Sequence, residues 1–138
     1  MLFSIDNDYI FNDYFNMPNK KDGVLSPKEG QKLGNMFVDE YVPYKNYVPK
    51  DTEVKTEKER DLQKIRELAF AVNDLNLALD VDPSNKKLYS LFKMYAEELD
   101  EKCKNYSKKY DVLEVTDDVK GTYTWYKNPW PWESDRYV

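Results

Sequence analysis

Residues 57–79 read EKERDLQKIRELAFAVNDLNLAL, and Leu62, Ile65, Leu68, Ala69, Val72, Leu75 and Leu79 recur in it at steps of three and four. That spacing is one apolar face of an α-helix. Asp82-Pro83-Ser84-Asn85 then breaks the pattern and supplies a new cap. Beyond it, Leu88, Leu91, Phe92, Tyr95, Leu99, Cys103, Tyr106 and Tyr110 repeat the same period. Two long amphipathic helices joined by so short a turn must lie antiparallel, which predicts an αα-hairpin over about 57–80 and 84–109. The first helix also carries Phe70, Ala71, Leu77 and Ala78 outside its main stripe. A third element is needed to cover them.

Upstream, Ser26-Pro27-Lys28-Glu29 combines a serine N-cap, proline at the first helical position and glutamate three residues after the cap. Leu33, Met36, Phe37 and Tyr41 fall on one side of the helix this predicts near 27–41. Gly30 and Gly34 each weaken it by about 1 kcal/mol relative to alanine, so it must dock to persist. The hairpin's uncovered residues are the obvious dock, and a second copy of the chain, forming a homo-oligomer, is the alternative. Pro43 and Pro49 hold Val42 to Val48 extended, with Tyr41, Tyr44 and Tyr47 at three-residue steps. The fold class is therefore all-α: an antiparallel helical hairpin braced by a short N-terminal helix, with extended aromatic-rich arms at both ends. The division is 1–25 an irregular arm, 26–50 the bracing helix and extended segment, 51–110 the hairpin, and 111–138 a tail.

Composition narrows the function. The chain has no histidine and one cysteine, Cys103, which removes the usual general base near neutral pH, the commonest transition-metal ligand and any internal disulfide. Four scattered glycines build no phosphate loop. No catalytic, cofactor or metal site is expected. With 21 basic and 26 acidic residues, and the basic ones interspersed with acids, neither nucleic acid nor an anionic membrane is an expected partner. The apolar run at Met1 to Ile5 meets Asp6 too early for a signal peptide and no later run would span a bilayer, so synthesis in the cytoplasm is expected. Aromatics nevertheless make up 15% of a chain whose mean hydropathy is −0.87, a composition suited to docking.

The run Leu62 to Pro83, with Leu68, Phe70, Ala71, Asp74-Leu75-Asn76-Leu77 and Leu79-Asp80, resembles the signature of the spore coat protein JB family. Pro129-Trp130-Pro131-Trp132-Glu133 resembles that family's ending. Ser26-Pro27-Lys28-Glu29 with Leu33-Gly34, Phe37, Tyr41 and Pro43-Tyr44 is similar to the core motif of the spore coat protein JA family. The resemblance implies a non-enzymatic structural component of the inner spore coat that assembles with a manganese-catalase-like partner and other coat proteins. An adaptor unconnected with spores, docking through its aromatic arms, is the competing reading.

The expected partner-binding residues are Tyr41, Tyr44, Tyr47, Trp125, Trp130 and Trp132. Alternating prolines keep Trp130 and Trp132 out of a helix and present both indoles from one stiff segment. The same rings have a plainer use, which is to cover apolar surface of their own chain. Glu67 and Asp74, seven residues apart on one helix face, admit either a carboxylate metal or acid/base pair or a solvated or capping-type polar strip beside the apolar stripe. Two carboxylates are too few for a hard-ion site, which favours the strip. Asn73 and Asn76 are expected to fix helix register by hydrogen bonding, and Cys103 to serve as a small core residue.

Overall fold

The computed structural model describes residues 23–40, 45, 48–117 and 121–127. Within them lie three α-helices, α1 (Pro27–Leu33), α2 (Glu57–Val81) and α3 (Lys86–Lys109), and a single 3-10 turn at Val38–Glu40. The expected all-α hairpin with a short N-terminal brace is what forms: α2 packs along α3, and α1 packs on α2.

Local chemistry sets each boundary of the hairpin. Thr56 and Glu59 form a reciprocal capping box at the start of α2: the Glu59 amide donates to Thr56 Oγ1 at 3.1 Å, and the Thr56 amide donates to Glu59 Oε2 at 3.2 Å. At the turn, Asn85 Oδ1 accepts from the Leu88 amide at 3.0 Å and starts α3. The buried apolar residues of the hairpin are Ile65, Leu68, Ala71 and Leu75 from α2 with Leu88 and Tyr106 from α3. Between those two α3 anchors, Leu91, Phe92, Tyr95, Leu99 and Cys103 are only half-buried, because a two-helix layer covers one side of each stripe.

The brace departs from the expected helix over 27–41. It ends at Leu33, because Gly34 adopts a left-handed conformation (φ 78°) and its amide turns back to the carbonyls of Gly30 and Gln31. The chain then reverses. Leu25 donates to the Met36 carbonyl at 2.8 Å, and Val24 and Phe37 form an antiparallel bridge. Of the expected stripe, Leu33 and Met36 are buried and Phe37 is half-buried, while Tyr41 lies outside the described residues; Val38, which was not in that stripe, is buried beside them. Met36 is fully buried against Gly30, where a Cβ would lie 2.2 Å from its Sδ.

Coverage of α2 by this brace is partial. Ala71 is fully buried and Phe70 and Ala78 half-buried, but Leu77 stays 55% exposed. The brace reaches along α2 as far as Asp74, whose Oδ2 accepts from the Met36 amide, and stops about one turn short of Leu77. Asn73 and Asn76 are exposed and take no part in the hydrogen bonds joining the helices, contrary to the register role expected of them. No helix among the described residues is long and apolar enough to cross a membrane.

Candidate docking surface

The open end of the hairpin, where α2 begins and α3 ends, is the most heavily tied part of the molecule. Lys58 bonds Asp111, Lys109 reaches Glu57 at 2.7 Å and Asp61 at 3.6 Å, and the Tyr110 hydroxyl donates to Asp61 at 3.0 Å. Lys109 also lies 4.9 Å from the centre of the Tyr110 ring, within cation–π range. Its hydrogen bonds to Glu57 and then Tyr110 push the ammonium above the usual lysine range. Exposed pairs of this kind contribute little singly, but together they fix where the chain leaves α3.

The next turn is pinned by one carboxylate. Asp117 Oδ2 accepts from the Ser107 hydroxyl at 2.7 Å and from the amides of Leu113 and Glu114 at 2.8 and 3.0 Å. Burial by itself would raise this carboxyl; the Ser107 hydroxyl and the two amides outweigh it and hold it below the usual aspartate range. Ser107 is buried, so the clasp joins the tail to the body of α3.

Beyond the clasp comes a short aromatic segment. Gly121 takes a left-handed conformation, the Lys127 amide closes a turn onto the Thr124 carbonyl, and Tyr123 stacks on Tyr126 with ring centres 6.0 Å apart. Both tyrosines are exposed, at 57% and 61%, and Trp125 is half-buried between them in sequence. Of the expected partner-binding residues, Trp125 is thus on this surface, while Tyr41, Tyr44, Tyr47, Trp130 and Trp132 lie outside the described residues.

The carboxylates weighed from sequence serve the brace. Asp74 binds the Met36 amide, and the buried Glu67 is linked to α1 through Gln63, whose Nε2 donates to Gln31 Oε1 at 2.6 Å and more weakly to Glu67 Oε1 at 3.4 Å. Among the described residues no group of three or more His, Cys, Asp or Glu side chains converges as a metal site. Cys103 is half-buried, and burial first, then Glu114, Asp117 and Asp100, push its thiol up. Sequence reasoning missed the long-range role of Asp74 and the clasp at Asp117, since neither is marked by a local motif.

The family model described as CotJB protein matches residues 59–133, more than half of the chain. The match begins in the first turn of α2 and takes in the rest of the hairpin, the clasp and the aromatic segment; it does not extend to residues 26–50, for which a resemblance to the JA family was expected. No curated protein and no solved structure matches the chain.

Proposed function

Because this chain belongs to the CotJB family, a family of the spore coat, we propose that it is a non-enzymatic assembly component of the coat whose C-terminal aromatic segment docks onto a catalase-like coat partner. The observation that carries the reading is that the family match continues past the hairpin to residue 133 and takes in Trp125, Trp130 and Trp132. The hairpin supplies a tied platform and the clasp sets the point from which the aromatics leave it. Docking through rings held on a proline-stiffened segment loses little ordering entropy, the situation in which aromatics become binding anchors. Tyr41, Tyr44 and Tyr47, in the segment resembling the JA family, form the second set of contact rings. In this reading the protein is made in the cytoplasm late in sporulation and ends in the coat.

The test is co-purification from sporulating cells. Trp130→Ala with Trp132→Ala removes two anchors, and truncating a true anchor costs about 2 kcal/mol or more, roughly a thirtyfold loss of affinity. Partner recovery is expected to fall while helicity and melting temperature hold. A lowered melting temperature with partner recovery intact would show instead that the tail covers its own hairpin.

A further inference from the structure

A cleft of about 450 Å³ runs between α1, the irregular stretch 50–54 and the first half of α2. Its lining carries five cations, Lys28, Lys32, Lys50, Arg60 and Lys64, against two carboxylates, Asp51 and Glu67. The chain as a whole has a net charge of −5, so the cleft is opposite in sign to the protein that contains it. A concave surface lined by one sign of charge concentrates its field and attracts counter-charge.

The cleft already holds one carboxylate of its own chain. Asp51 Oδ1 lies 3.3 Å from Lys32 Nζ and 3.9 Å from Lys28 Nζ. The hydrogen-bonded pair Gln31 and Gln63 also lines it. Lys50, Arg60 and Lys64 form no ion pair among the described residues, and Arg60 and Lys64 stand four apart on α2. Positions so spaced share a helix face with Cβ atoms roughly 5–6 Å apart. Alternate side chains of an extended chain point to one side at a repeat of roughly 6.6–6.8 Å, a near match.

From this geometry we infer that the cleft is a binding site for an extended acidic peptide segment of a partner protein, with carboxylates at alternate positions engaging Arg60 and Lys64. Lys50 meets a third carboxylate, and the Lys28–Asp51–Lys32 cluster closes one side of the cleft. The volume exceeds what a single oxyanion fills, and the cations come from three separate segments rather than converging on one point, which suits a chain of carboxylates better than a lone phosphate. This site is independent of the aromatic docking proposed above.

The experiment uses the full chain and a fluorescein-labelled peptide of alternating aspartate and serine, read by anisotropy at low and moderate salt. Saturable binding that weakens with salt is expected, and an all-serine peptide should not bind. Arg60→Glu with Lys64→Glu should weaken binding at least about tenfold, since each opposed pair turned repulsive removes on the order of 1 kcal/mol. Lys86→Glu with Lys93→Glu, the same charge change on α3 away from the cleft, should leave it within about twofold. Should the double reversal impair folding, Arg60→Gln with Lys64→Gln gives the same ranking with a smaller loss. Absence of saturable binding, or equal losses from both pairs, would overturn the site. Displacement of the peptide by millimolar inorganic phosphate would overturn the peptide assignment in favour of a small-oxyanion site.

Discussion

The backbone amide of Met36 donates a 2.8 Å hydrogen bond to Oδ2 of Asp74, 38 residues further along the chain. Met36 is fully buried, so its amide has no access to water in compensation. One carboxylate on α2 therefore satisfies the backbone of the reversal that follows α1 and fastens the brace to the hairpin. Asp74→Ala leaves a buried donor without an acceptor, at a cost of about 1–3 kcal/mol. Asp74→Asn keeps an acceptor oxygen and is expected to lose less than half as much. Urea unfolding monitored by circular dichroism checks this; equal stability of Asp74→Ala and the parent chain would show that the contact is dispensable.

The two brace glycines should respond oppositely to asparagine and alike to alanine, for different reasons. At Gly30 a Cβ would sit 2.2 Å from Met36 Sδ, so alanine there forces the fully buried Met36 out of position and costs about 1–3 kcal/mol despite its better helix propensity. Gly34 has open space around it but a φ of 78°, and alanine there costs about 1 kcal/mol through backbone strain alone. Asparagine tolerates the left-handed region, so Gly34→Asn should recover most of that loss, whereas Gly30→Asn should be worse than Gly30→Ala. Thermal melts of the four variants decide it.

The hairpin was legible because its period and its turn agree: the 3–4 spacing from Leu62 to Leu79, the Asp82–Asn85 break and the same spacing resumed from Leu88 mark two helices and the turn between them, whereas the Thr56/Glu59 box that starts the first helix went unread. The end of α1 was not, because Leu33, Met36 and Phe37 keep helical spacing while the backbone reverses between them; the signal was the Gly34-Asn35 pair, a common stop. Asp74 read as a surface acid because its partner is remote in sequence. The cationic cleft was equally hidden, since Lys28, Lys32, Lys50, Arg60 and Lys64 are separated by acids along the chain and only folding collects them.

The clasp at Asp117 should give the tail an acid-sensitive attachment. Its carboxyl is held below the ordinary 3.8, so the stabilisation it contributes is fully present above that value and is lost as pH falls through the lower folded one. Hydrogen-exchange protection of the Leu113 and Glu114 amides, which donate to this carboxylate, should therefore collapse below about pH 4 before the helices melt. Asp117→Asn should show weak protection of those amides already at pH 7 and no further step in acid. An unchanged protection profile in the variant would mean that the turn is held by something else.

Cys103 is the one thiol available for cross-linking in an assembled coat, and its surroundings oppose that chemistry near neutral pH. Attack on a disulfide requires the thiolate, and here burial first, then Glu114, Asp117 and Asp100, all disfavour the anion. Half-burial of the side chain adds a steric barrier. Reaction with Ellman's reagent at pH 7.5 should accordingly run slower in the folded chain than in urea, since a raised thiol pKa lowers the thiolate fraction and half-burial restricts access. Glu114→Gln, which removes an exposed charge, should speed the folded-state reaction modestly and lower the pH at which it becomes fast. If the native thiol instead reacts as quickly as in urea, Cys103 is an accessible nucleophile and the chain carries a ready point of covalent attachment.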